Sequence, residues 1–183
     1  MNTQSRTPGE IPRRYYGKYR GLVADNVDPE QLGRIQAQVN GVLGENPSTW
    51  AMPCVPAAGI QSGCFVVPPI GSQVWIEFEQ GDPAHPIWTG GFWGSASEIP
   101  SFAIAPPPLG QGQNIVFQTS GQNMVLISDS ASTPDSGGIV LKSAGGARIV
   151  VNGSGIYIDN GNGATITLLG DVVAMNTDAL TVK

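Results

Sequence analysis

Glu77 and Glu79 come closest in this sequence to catalytic machinery. They are two carboxylates two positions apart, placed on one face of an extended strand, where one could serve as acid and the other as base in glycoside cleavage. Such a pair needs a cleft, and no cleft signal accompanies it, so a solvated or partner-facing strand surface is the commoner fate. His85 sits in the turn Asp82-Pro83-Ala84-His85-Pro86, and one histidine with the distant Cys54 and Cys64 does not make a zinc site. Gly153-Ser154-Gly155 lacks the nucleophile elbow, and neither Gly110-Gln111-Gly112 nor Gly161-Asn162-Gly163 completes a dinucleotide fingerprint. Asp159-Asn160-Gly161-Asn162-Gly163 lacks the ligand spacing and distal glutamate of a calcium loop, and Asn152-Gly153-Ser154 matches a glycosylation acceptor only formally. No catalytic residue, cofactor or metal is expected.

Binding chemistry is concentrated in Arg13-Arg14-Tyr15-Tyr16-Gly17-Lys18-Tyr19-Arg20, where cations alternate with aromatics. Such a cluster could grip phosphates and stack on bases, and Trp75, Trp88, Phe92 and Trp93 could extend the platform. The net charge of −5 opposes a general attraction to nucleic acid or anionic lipid. Docking onto a protein partner is the reading favoured for the basic cluster, and core or subunit packing for the tryptophans.

The elements that hold these residues are strands. Charged residues make up only 13% of the 183, while 25 glycines and 15 prolines favour short strands and many turns. Residues 1–15 read as a flexible arm without the apolar core of a secretory signal. No stretch is long and apolar enough to span a membrane as a helix. A cytoplasmic compartment would keep Cys54 and Cys64 reduced, although a cross-strand pair remains open.

From Tyr19 a strand runs to about Val27, turns through Asp28-Pro29-Glu30-Gln31-Leu32-Gly33 and returns over Arg34–Val39. Asn40 to Thr49 reads as a loop, Trp50–Cys54 and Cys64–Val67 as extended pieces. Gln73–Glu79 alternates strictly, with Val74, Ile76 and Phe78 on the core side, and Ile87–Gly94 supplies a last strand. Five or six strands over residues 16–94 suit a small closed barrel of the OB type. Residues 95–112, with Pro106-Pro107-Pro108, read as a semi-rigid polyproline linker. Two further strands follow, Asn114–Gln118 and Asn123–Ser128.

From Gly138 to Val182 short apolar segments follow one another with little between them but Gly, Asn and Asp. Their starts at 139, 149, 156, 166, 173 and 180 step by ten or seven residues, a rhythm of strands joined by tight turns. Ile139, Leu141, Ile149, Val151, Ile156, Ile158, Ile166, Leu168, Val173, Met175, Leu180 and Val182 fall two apart within their segments, and so on one face. Nothing in the ribbon covers that face, which predicts self-association.

Linked motifs carry a resemblance. Tyr16-Gly17-Lys18-Tyr19-Arg20-Gly21-Leu22-Val23, Asp28-Pro29 with Leu32-Gly33-Arg34-Ile35, Pro69-Ile70-Gly71-Ser72-Gln73-Val74-Trp75-Ile76-Glu77-Phe78, and Gly81-Asp82-Pro83 with Pro86-Ile87-Trp88-Thr89-Gly90 stand in order. Together they resemble the OB-fold domain of contractile-tail spike proteins, the phage baseplate assembly protein V and the VgrG-type spikes. The resemblance implies an all-β chain, an N-terminal OB-fold barrel followed over residues 113–183 by an intertwined homotrimeric β-helix or β-prism needle. It implies a non-enzymatic spike of a virion tail baseplate or extracellular injection particle, assembled in the bacterial cytoplasm and driven through a target cell envelope when the sheath contracts. The alternative is an OB-fold module for single-stranded nucleic acid.

The lysozyme domain of some family members has no room in residues 95–112. With about 15 residues before the barrel, a separate hub protein is implied, met by Arg13, Arg14, Tyr15, Tyr16, Lys18, Tyr19 and Arg20. The iron-binding His-x-His tip of some spikes has no counterpart, the sole histidine being His85. A separate tip protein of the PAAR-repeat kind is expected instead at Leu180, Thr181, Val182 and Lys183.

Overall fold

The computed structural model describes residues 13–104, 114–177 and 179–182. The chain divides into two compact units between Gly94 and Ser95. Residues 1–12 of the expected arm, the three prolines at 106–108 and Lys183 lie outside the described residues.

The first unit contains β1 (Tyr19–Asp25), β2 (Gln36–Gln38), a helical turn α1 (Asn40–Leu43), β3 (Met52–Pro53), β4 (Ala58–Gly59), β5 (Ser62–Gly63), β6 (Gln73–Phe78) and β7 (Pro86–Gly91). Five strands form a sheet in the order β2-β1-β6-β7-β3, antiparallel except where β3 runs parallel to β7. Its two ends meet: Ala51 N donates to Ile35 O at 2.7 Å and Ile35 N to Ala51 O at 3.3 Å, so residues flanking the edge strands β2 and β3 close the sheet into a barrel. Closure removes exposed edges.

The interior follows from alternation. Val74, Ile76 and Phe78 on β6 point inward and join Val23, Ile35, Ala37, Val39, Ala51 and Trp88 in one cluster. Gly21 on β1 lets the backbone come close to this core, because a Cβ there would stand 2.8 Å from Ile76 Cγ1. Trp88 is buried with its indole Nε1 donating to Gly33 O at 3.1 Å, which satisfies the polar end of the ring.

Several local expectations are corrected. The strand expected over Cys64–Val67 does not form; the chain instead makes the two-residue pairs β4 and β5, and Cys64 N bonds Ala57 O beyond them. Valines and a phenylalanine favour a strand only where a neighbour offers a ladder. Asn40 opens a helical turn inside the expected loop, with Val42 N and Leu43 N bonded back to Val39 O. Arg13–Tyr15, expected within the arm, lie on the barrel, where Tyr15 N donates to Gly81 O at 2.9 Å.

Where an extended linker was expected, the second unit has a 3-10 turn at Ala96–Glu98 and then the helical turn α2 (Ser101–Ile104), which Ala103 N closes on Pro100 O. Eight strands follow: β8 (Asn114–Gln118), β9 (Met124–Thr133), β10 (Ser136–Lys142), β11 (Arg148–Asn152), β12 (Gly155–Asp159), β13 (Thr165–Leu169), β14 (Val172–Met175) and β15 (Leu180–Val182). They form one antiparallel meander in sequence order, β8 and β15 being its edges. Within the single chain the second unit is thus a plain up-and-down sheet.

Candidate functional site

The strand register turns scattered apolar residues into two continuous rows on one face of the meander. One row runs Ile115, Ile127, Ile139, Val151, Ile156, Leu168 and Val173, in register with Val182; the other runs Phe117, Val125, Leu141, Ile149, Ile158, Ile166, Met175 and Leu180. From Ile115 to Leu180 nearly all of the row side chains are exposed, Phe117 most of all at 69%. Monomeric proteins rarely leave so long an apolar face uncovered. The twelve residues singled out from the sequence all fall on these rows. Ile115, Phe117, Val125 and Ile127 were missed, since β8 and β9 lie outside the ten-and-seven rhythm although both alternate.

The opposite face carries Val116, Leu126, Val140, Val150 and Tyr157 in register, continued by Thr167 and Ala174. Here Leu126, Val140 and Val150 are buried and Val116 and Tyr157 partly so. Asparagine carboxamides close the turns between strands: Asn123 Oδ1 accepts from Ala144 N, Asn160 Oδ1 from Ala164 N and Asn176 Oδ1 from Thr165 N, each at 3.0 Å. Asparagine suits such positions because its short side chain can satisfy backbone donors where the ladder stops.

The basic cluster is tied largely to its own barrel. Arg14 Nη1 lies 3.4 Å from Asp82 Oδ2, and Lys18 Nζ lies 3.0 Å from Glu77 Oε1 and donates to Thr89 Oγ1 at 2.8 Å. Tyr15, Tyr19 and Phe78 pack ring against ring, with Arg13 5.3 Å over Tyr15, while Tyr16 is exposed. Arg20 lies over the paired rings of Trp75 and Phe92, whose centroids are 4.7 Å apart. The four aromatics weighed as a stacking platform are therefore split: Trp88 is core, Trp75 and Phe92 hold Arg20, and Trp93 is exposed.

The two carboxylates do not form an acid-base pair on one strand. Glu77 is on β6 and bound to Lys18, whereas Glu79 lies past the strand end in a tight turn. His85 is exposed, with Nδ1 4.0 Å from Asp82 Oδ2. Cys54 and Cys64 are exposed free thiols. Among the described residues no cluster of His, Cys, Asp and Glu is arranged to hold a metal ion.

Among the described residues the most perturbed ionisable group is Asp28. Its carboxylate is held far below the usual range, chiefly by the Arg34 guanidinium, with further help from the backbone N–H groups of Glu30, Arg34 and Leu32 and against the opposing effect of burial. Arg34 also meets Glu30 at 3.0 Å. This arrangement organises the turn from β1 to β2 and contains no nucleophile or open ligand position, so its role is structural.

A closed five-stranded barrel and a meander with a bare apolar face define an assembly component. Residues 19–93 match the family model of the type VI secretion system/phage-baseplate injector OB domain. Residues 114–181 match that of the phage baseplate V C-terminal trimerisation domain. The chain belongs to the baseplate assembly protein V family of contractile-tail spikes. No curated protein matches it. The family is structural and generally non-enzymatic, its place is in a tail or baseplate, and the trimerisation domain supports a homotrimer.

Proposed function

We propose that this chain is the non-enzymatic central spike of a contractile tail or injection-system baseplate. Three copies turn their paired apolar rows toward a common axis and form an intertwined β-helix or β-prism needle, which sheath contraction drives through the target envelope. The observation that carries this reading is the pair of apolar rows running through all eight strands of the domain matched to trimerisation. Most row residues are 36% to 69% exposed in the single chain, so burial at a three-fold seam has on the order of 1 kcal/mol per side chain left to gain. Repeated along eight strands in three chains, that gain outweighs the entropy lost on association. Eight strands crossing the axis would make a shaft of roughly 35 Å.

Three chains also provide neighbours for the edges β8 and β15, which would otherwise invite indefinite strand addition. A separate baseplate hub meets the barrel through Arg13–Arg20, where Tyr16 is 71% exposed, and a PAAR-like tip protein seats on Leu180–Lys183. The ion pairs of Arg14 and Lys18 within the barrel argue against the nucleic-acid alternative, because they leave less free positive charge for phosphates.

Light scattering on the full chain tests this reading. The expected mass is three times the 19.1 kDa of one chain, and Leu141→Asp together with Ile156→Asp should reduce it to one. A monomeric wild type would end the spike reading.

A further inference from the structure

The meander has two apolar faces but leaves only one bare, and the cover of the second comes from an unexpected place. Ser136 opens β10 and Lys142 closes it, six residues and roughly 20 Å further on. Arg148 is in register with Lys142. Yet Asp135, next to Ser136, reaches Arg148, with Oδ1 2.6 Å from Nη2. This contact requires the tip of the β9–β10 hairpin, about residues 129–137, to fold back along β11. Asn152 fixes the same tip, its Nδ2 donating to Thr133 O at 2.7 Å and Ser136 O at 2.9 Å.

Gly137 and Gly138 make the fold-back possible. Both have positive φ, 79° and 69°, and a Cβ on Gly138 would collide with Val151 O. Arg148, Val150 and Asn152 alternate onto one face, so a tip held at both Arg148 and Asn152 brackets Val150, whose exposure is 0%. Asp159 Oδ2 at 3.1 Å anchors the Arg148 guanidinium from the other side.

We infer that the β9–β10 hairpin tip is a strap that seals the second apolar face of the ribbon and so makes its self-association one-sided. The inference rests on the trimeric reading above and concerns what limits it. The strap lies where cover is needed: the second face is apolar from Val116 to Tyr157 and becomes Thr167 and Ala174 beyond. At the other margin α2 assists, with Asn114 Nδ2 donating to Phe102 O at 2.8 Å and the Lys142 ammonium 5.1 Å over the Phe102 ring. The strap itself is Asp129-Ser130-Ala131-Ser132-Thr133-Pro134-Asp135-Ser136, which presents a polar exterior. With the strap in place, three ribbons join through their rows alone; without it, Leu126, Val140 and Val150 offer a second seam and assembly has no natural stop.

The experiment uses the full chain carrying Cys54→Ser and Cys64→Ser as parent. A release variant adds Arg148→Met and Asn152→Ala. A locked form adds Ser132→Cys and Gly153→Cys to the release variant, because a Cβ on Gly153 would lie 3.4 Å from Ser132 Oγ, a separation that suits a disulfide. Light-scattering mass and the fluorescence of a dye that binds apolar surface are read on all three.

The release variant should bind several-fold more dye and rise in mass above the parent. Oxidation of the locked form should restore both parental values, and reduction should undo the rescue. A release variant with parental mass and dye binding overturns the inference. So does one that stays unfolded or aggregated in the oxidised locked form, since Arg148 and Asn152 would then act through the sheet itself. The mass of the parent separately tests the trimer, so failure of that reading is distinguishable from failure of the strap.

Discussion

Arg34 Nη2 lies 2.7 Å from Asp28 Oδ1, inside a turn where the same carboxylate also accepts from the backbone N–H groups of Glu30, Leu32 and Arg34. The carboxylate is depressed in the folded state and returns to the ordinary aspartate range near 4 on unfolding. The stability it contributes is therefore fully present above that range and lost as pH falls through the lowered folded value. Asp28→Asn should lower the melting temperature by several degrees at pH 7. The gap between wild type and variant should narrow steadily in scans below about pH 4, and a gap independent of pH would contradict the assignment.

Gly21→Ala tests the close approach of β1 to the barrel core. The new Cβ would press on Ile76 Cγ1 at 2.8 Å while also meeting Ala37 and Val74. Overpacking of this kind costs about 1 to 3 kcal/mol, and chemical denaturation should show the loss as a lower midpoint with an unchanged slope.

Ile115→Asp and Phe117→Asp test how far the bare face extends. Both residues stand on the edge strand β8, outside the rhythmic part of the ribbon, yet each heads one of the two rows. Either substitution should weaken trimer association on the order of tenfold or more, measured by sedimentation across a dilution series, because a carboxylate would have to be buried at the seam in three copies. Glu98→Gln, on the same unit but off the rows, is the control and should leave the mass unchanged.

The carboxylates give a prediction about chemistry. Purified protein should release no fragments from peptidoglycan, and Glu77→Gln should be indistinguishable from wild type in that assay, since the Glu77 carboxylate is engaged by Lys18. Release by wild type that disappears in the variant would restore an enzymatic role.

Oligonucleotide titration separates the two uses of an OB barrel. No saturable binding of single-stranded DNA is expected even at low salt, given the ion pairs of Arg14 and Lys18 and the net charge of −5. Binding that weakens steeply with salt would favour the nucleic-acid alternative.

Much of the fold is legible in local pattern. Strict alternation over Gln73–Phe78 predicts the buried row Val74, Ile76 and Phe78, and the apolar segments after Gly138 become strands β10 to β15 with the expected face. Period-two patterning reports which side of a strand is apolar without reference to any distant residue. Where burial came from elsewhere the pattern misled: Cys64–Val67 has strand-forming residues but no ladder partner, and Ser101–Ile104 coils in a stretch whose prolines suggested extension.

By itself the amino-acid sequence determined the strand rhythm, the asparagine and glycine turns, the apolar face and the motifs of the barrel, because each depends on neighbours a few residues apart. Only the tertiary structure decided that Ile35 and Ala51 close the barrel, that Ile115 and Ile127 extend the rows, that Lys18 is paired with Glu77, and that Asp135 returns to Arg148. These are contacts between residues more than ten positions apart, and they form when the whole sheet has set the register that brings them together.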